Sequence, residues 1–308
     1  MKAMQVNSSG QGAKLLPVEM AKPEPREDEV LIRVHAAGVT PTELLWYPTT
    51  HTKDGAVRTN AVPGHEFSGV IAALGGQVQG FKVGDEVYGM NDWFAEGATA
   101  EFCLTLPQNI APKPLSLSHG AAAAVPIGAL TALQGLLRTG VLPLERVLVH
   151  GGSGAVGIYA VQLARRRGNY VVATASAHSF DFIKQLGADE VIDYKASRFE
   201  EKVKDIDVVF DTVGGTTRDL SWKVLKAGGR LVTIAADSEG SEDPRTKNAF
   251  FIVEPSQGQL KEIGQLLDAG ELKAFVKGVV PINEASDAYS GMLNRKGSYG
   301  KLVISMSA

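Results

Sequence analysis

The sequence predicts an α/β protein that joins a small, mostly antiparallel β domain to a doubly wound parallel sheet. Three observations carry this. The first part of the chain reads as short strands broken by Pro and Gly, and the middle alternates strand with helix. A glycine-rich turn then joins the first middle strand to its helix.

Over residues 1–118, the runs EVLIRVHAAG, FSGVIAALG, KVGDEVYG and AEFCLTL follow one another with little helix between them, which predicts antiparallel ladders. Over residues 119–255 the predicted strands are RVLVHG (146–151), YVVATA (170–175), EVIDY (190–194), IDVVFDTV (206–213), RLVTIA (230–235) and AFFIV (249–253). Their Val/Ile runs suit strands buried on both faces, and amphipathic stretches such as GAVGIYAVQLARRRG and HSFDFIKQLGAD separate them. Six such strands fit two mononucleotide-binding halves. Residues 256–308 offer two helices, QGQLKEIGQLLDAG and NEASDAYSGMLNRKG, and a last strand, GKLVISM. Without a sheet of its own, this tail is expected to return to the first domain and complete it.

Composition narrows the function classes. A chain of 308 residues, 44% hydrophobic and 21% charged, is an ordinary globular composition with room for two domains. A formal charge of −3 leaves no basic footprint for nucleic acid or an anionic membrane. The opening MKAMQVNSSG carries one lysine and no apolar core segment, so a cytoplasmic location is expected. Apolar stretches such as GAAAAVPIGAL are too short and small-sided to span a bilayer. The single cysteine, Cys103, excludes an intramolecular disulfide and a cysteine-rich metal lobe. Glycine is enriched, at 34 residues, about 11% against a usual level of roughly 7%, without a fixed period; it marks many tight turns.

The turn VLVHGGSGAVGIYAVQLA places Gly152, Gly154 and Gly157 at G-x-G-x-x-G spacing, after an apolar strand and opening a helix. Glycines at these points let backbone N–H groups of Gly152, Ser153, Gly154, Ala155 and Val156 approach a pyrophosphate, while the helix amino terminus supplies positive potential. Gly157 lets the helix pack close to the strand. At the end of the second strand a site for NADH would place an acid on the ribose hydroxyls. This chain instead reads ATASAHSF, with no carboxylate to repel a 2′-phosphate. Ser176, His178 and Ser179 can donate hydrogen bonds to that phosphate and Tyr194 borders it, so NADPH is the expected cofactor.

Taken together, AAGVTPTE, PGHEFSGVIAALG, FKVGDEVYG, VLVHGGSGAVG, QLGADEVIDY and GKLVI resemble the medium-chain dehydrogenase/reductase superfamily, and within it the zinc-free quinone and enone reductases. The resemblance covers essentially the whole chain. It implies a GroES-like catalytic domain over 1–118, a Rossmann domain over 119–255 and a return segment over 256–308. Zinc alcohol dehydrogenases of the superfamily hold their metal by an early Cys, the His of a GHE motif and a later Cys or Asp. At those positions this chain has Thr40, His65 (with Glu66 beside it) and Ile127. One imidazole cannot hold a catalytic zinc that needs three protein ligands, so no metal is expected. Without that Lewis acid an unactivated ketone is a poor hydride acceptor, whereas a conjugated carbonyl spreads the developing charge.

The resemblance also points to Thr40, Glu43 and His65 as the catalytic group, with Thr40 donating a hydrogen bond to a substrate carbonyl. Trp46 and Tyr47 either offer a flat surface to a planar substrate or pack the domain interface. Thr131 is assigned to positioning the nicotinamide, and Ala235 and Ala236 to the neighbourhood of its carboxamide. His35 and Cys103 read as ordinary strand residues, His119 as local capping or surface, and Arg165–Arg167 as the solvated end of a helix. The expected activity is NADPH-dependent hydride transfer to a small-molecule conjugated carbonyl, such as a quinone or enone. The competing readings are an NADPH-binding redox sensor with little turnover and a metal-dependent alcohol dehydrogenase. The edge strand AFFIV suggests a homodimer.

Overall fold

Hydrophobic alternation in the first part of the chain builds antiparallel ladders. The computed structural model describes residues 1–7, 14–293 and 299–306, which divide into two compact units, Met1–Ile127 with Pro255–Ala308 and Gly128–Glu254. In the first unit β1 (Lys2–Asn7) pairs with β2 (Lys14–Glu19). The main sheet contains β3 (Val30–Gly38), β4 (Glu66–Leu74), β5 (Glu86–Met90), β6 (Phe102–Thr105) and β7 (Ile110–Pro112), all antiparallel neighbours. The inward residues Val30, Ile32 and Val34 of β3 meet Phe67, Ile71, Val87, Cys103 and Ile110 in one core. Each large apolar side chain buried there contributes about 1.5–3 kcal/mol. Cys103 is a small core residue, and burial pushes its thiol far above the ordinary range.

The second unit has β8 (Arg146–Val149), β9 (Tyr170–Ala175), β10 (Glu190–Asp193), β11 (Ile206–Asp211) and β12 (Leu225–Thr233), all parallel, in the order β10-β9-β8-β11-β12. The strand order reverses between β8 and β11, so the crevice beyond their carboxyl ends is where such a sheet binds a ligand. The expected sixth strand, AFFIV, is absent as a strand: only Phe250 bridges to Thr233. Its alternation survives, with Phe251 and Val253 buried and Ile252 half exposed, as at a sheet edge.

The tail then returns to the first unit. Helix Gln257–Asp268 is fixed by Tyr88, whose hydroxyl donates to the Leu260 carbonyl at 2.6 Å. β13 (Val276–Pro281) lies parallel to β14 (Lys301–Ser305), and β14 pairs antiparallel with β3, bringing the main sheet to seven strands. The helix expected over NEASDAYSGMLNRKG is shorter, Ala285–Tyr289, and residues 294–298 lie outside the described part. The first unit extends to Ile127, beyond the expected residue 118, because Ala123 and Ala124 pack with Ala36 and Val303. Among the described residues no helix is long and apolar enough to cross a membrane.

Candidate active site and cofactor loop

The glycine turn follows β8 and opens the helix Gly157–Arg166. Gly151 has φ +70°, where a side chain would be strained, and its carbonyl accepts from the Gly154 N–H at 2.9 Å. Gly152 anchors the turn to β9 by donating to the Thr174 carbonyl at 3.0 Å. Gly157 is the closest approach: a Cβ there would lie 2.1 Å from the Gly151 oxygen and 2.8 Å from the Gly152 Cα. Gly154 is exposed, and Ser153, Ala155 and Val156 are partly so. The turn thus presents backbone to a ligand on one side and packs against the sheet on the other, a cradle that fits a pyrophosphate.

Behind the turn stands His150, fully buried. The Gly151 N–H donates to Thr174 Oγ1, which lies 3.1 Å from His150 Nδ1. His150 Nε2 lies 2.9 Å from Ser221 Oγ, and that hydroxyl donates to the Thr217 carbonyl. The arrangement suits a neutral ring, with Ser221 accepting from Nε2–H and Thr174 able to donate to Nδ1. Burial lowers the His150 pKa from 6.5 to about 4, against the pull of Asp211. Because the unfolded chain binds this proton more readily, stability is fully present above pH 6.5 and falls as the pH drops toward 4, by about 3 kcal/mol over that window. Urea titrations across pH 4.5–7 are expected to show this slope, and His150→Gln to flatten it; an unchanged slope would refute the assignment.

At the carboxyl end of β9, Ser176 is buried with its hydroxyl 3.1 Å from His178 Nδ1. Ser179 is also buried and its hydroxyl has no partner. Tyr194 is exposed, with the Lys195 ammonium 5.9 Å from its ring centre. Lys195 is a cation that sequence reasoning passed over, although it directly follows Tyr194. The Asp193 carboxylate at the end of β10 accepts from the Lys195 N–H at 2.9 Å. After β12, Ala235 and Ala236 begin a short turn to Ser238, and the Gly215 N–H donates to Asp237 at 2.8 Å, tying this turn to the loop after β11. Thr131 is buried within helix Pro126–Thr139.

The first unit brings Thr40, Glu43 and His65 into one cluster. The turn Pro41–Leu45 buries Glu43, whose Oε1 accepts from the Gly64 N–H and lies 2.8 Å from His65 Nδ1. A carboxylate can only accept, so His65 carries its hydrogen on Nδ1. Its Nε2 is buried without a partner. Next to it, Glu66 is fully buried: Oε2 accepts from the Ile127 N–H at 3.0 Å and Oε1 accepts from Lys301. Burial pushes the Glu66 carboxyl above its ordinary range, and the Lys301 ammonium pulls it back. Lys301 also donates to Thr40 Oγ1 at 3.2 Å.

Aromatic rings flank His65. Trp93 lies 5.2 Å from it, and Trp46 meets Trp93 edge-on at 4.9 Å. Tyr47 instead stacks on His51 at 4.4 Å and is half exposed. Trp93, in NDWFAEG, gave no signal in the sequence. Lys301 did leave one: in GKLVI it shares strand parity with Val303, so a lysine points inward and must find a partner. His119 is neither a cap nor bare surface. Ser118 caps that helix, while His119 stacks on His35 at 4.3 Å and lies 2.8 Å from Ser68 Oγ.

Comparison with known proteins agrees with this construction. Residues 26–158 match the alcohol dehydrogenase GroES-like domain and residues 186–304 match the zinc-binding dehydrogenase family. A 2-methylene-furan-3-one reductase of Solanum lycopersicum is 34% identical over 303 residues, covering 94% of this chain and 74% of that protein. A chloroplastic NADPH-dependent alkenal/one oxidoreductase of Arabidopsis thaliana is 32% identical, covering 99% and 79%. The solved quinone oxidoreductase of Coxiella burnetii superposes with a TM-score of 0.88 at 29% identity, over 99% of both chains. The chain is an oxidoreductase that belongs to the quinone and enone oxidoreductase branch of the medium-chain dehydrogenase/reductase superfamily.

Proposed function

We propose that the chain reduces conjugated carbonyl compounds, quinones or α,β-unsaturated ketones and aldehydes, using NADPH and no zinc. The observation that carries this reading is the Thr40 hydroxyl, which accepts a hydrogen bond from the buried Lys301 ammonium at 3.2 Å. Catalytic zinc needs three protein ligands. His65 is one, but Thr40 and Ile127 stand at the other two positions, and among the described residues no group of three His, Cys, Asp or Glu could hold a metal ion. The residues do not fit the metal.

When bound, the reduced nicotinamide supplies the hydride. Thr40 holds the acceptor's oxygen by a hydrogen bond that strengthens as negative charge gathers there, and conjugation spreads the rest of that charge. Trp46 and Trp93 offer aromatic surface to a planar acceptor. Solvent protonates the phenolate or enolate product. The reductase relatives named above support the substrate class. We further assign the chain to the cytoplasm and to a homodimer.

For NADPH the support is the turn at Ser176, which carries no acid, and Lys195 beside Tyr194. Ser176→Asp is expected to raise KM for NADPH about tenfold or more by placing a carboxylate against the 2′-phosphate, with little change for NADH. Equal losses with both cofactors would refute this placement.

The deciding experiment is NADPH consumption, with chelator present, across quinones, enones, saturated aldehydes and ketones. Turnover confined to conjugated acceptors supports the proposal. Cofactor binding without turnover points to a sensor, and chelator-sensitive ketone reduction overturns the metal-free reading.

A further inference from the structure

We propose that Lys301 is a positioning residue: it turns Thr40 into an obligatory hydrogen-bond donor toward the substrate oxygen. The inference rests on the reading of Thr40 as the group that holds the acceptor's oxygen, and adds what makes it donate. A threonine hydroxyl can donate or accept and ordinarily rotates to suit its neighbours. An ammonium has hydrogens and no lone pair, so Lys301 Nζ, 3.2 Å from Thr40 Oγ1, forces that oxygen to accept. The hydroxyl's own hydrogen is then left for another partner. Among the described residues it has none, and Thr40 is only partly buried, so a bound carbonyl oxygen can take it.

Two further features make this a built device. Lys301 sits in the sheet on β14 and is 6% exposed, so its ammonium cannot be replaced by solvent in this role. Its second partner, Glu66, is itself 0% exposed and tied to the Ile127 N–H, which fixes the lysine head in one place. Donation from an ammonium polarises the Thr40 O–H, and such chains strengthen each member in a low-dielectric site. The donor is thereby oriented before the acceptor arrives, which is the condition under which an oxyanion-type contact lowers a barrier most.

A double-mutant cycle on the full-length protein tests this, with NADPH and a small quinone. Thr40→Val is expected to lower kcat about 100-fold, the loss typical of one removed oxyanion donor. Lys301→Met should lower kcat about tenfold or more with KM for NADPH unchanged, and Thr40→Ser should retain the Lys301 dependence. In the Thr40→Val background Lys301→Met should cost no further activity, because the hydroxyl it orients is gone. A merely structural lysine would lower thermal stability and activity by the same factor in both backgrounds, and that additive result overturns the proposal. If Lys301→Met folds poorly, the cycle is run with Lys301→Met/Glu66→Gln, which leaves no lone buried carboxylate. Turnover by the wild type with an additive cycle sinks the Lys301 assignment alone, whereas absent turnover by the wild type sinks the reductase reading and this inference with it.

Discussion

Replacing Gly157 by alanine is expected to abolish measurable cofactor binding, a loss of at least about 100-fold, and to lower thermal stability as well. The added methyl would sit 2.1 Å from the Gly151 carbonyl oxygen and 2.8 Å from the Gly152 Cα. Both obstacles are backbone, in the turn we assign to the pyrophosphate, so the strain cannot be relieved by rotating a side chain. The helix must move off the sheet or the turn must open, and either removes the cradle. Gly154→Ala provides the contrast. Its methyl meets only the Gly151 oxygen, at 3.2 Å, and otherwise faces open space. It should weaken NADPH binding with little loss of stability. Fluorescence titration and thermal melts on both variants check this; a Gly157→Ala protein that binds NADPH normally would refute the packing argument.

Glu66→Ala should be the most destabilising single change in the first unit. It strands the buried Lys301 ammonium and leaves the Ile127 N–H without its acceptor. Breaking a buried ion pair from one side costs about 3–5 kcal/mol, which for a unit of this size lowers Tm by about 10 °C. Replacing both partners, Glu66→Met with Lys301→Met, should restore much of the lost stability, since two apolar side chains of similar volume leave no charge buried. It should not restore turnover, because Thr40 is then free to rotate. Thermal melts beside quinone reduction separate the two effects. A double variant no more stable than Glu66→Ala would show that packing, and not charge, dominates this site.

Local pattern was enough where one stretch of chain makes its own structure. The glycine turn was legible because Gly152, Gly154 and Gly157 stand at G-x-G-x-x-G spacing between an apolar strand and a helix. The parallel strands were legible as Val/Ile runs. AFFIV was misread as a full strand because its alternation records an edge position, whereas strand pairing needs a continuous neighbour, and here only Phe250 finds one.

What the sequence determined by itself is the two-part α/β architecture and the glycine-rich turn between strand and helix, which follow from short-range spacing and residue type. Tertiary structure alone decided which groups meet across long separations: Lys301 with Thr40 and Glu66, Trp93 with His65, and His150 with Ser221. The physical reason is that a buried polar group must be paired wherever the fold brings a partner. Sequence reveals the need, as in the inward-facing lysine of GKLVI, but only the assembled sheet supplies the partner.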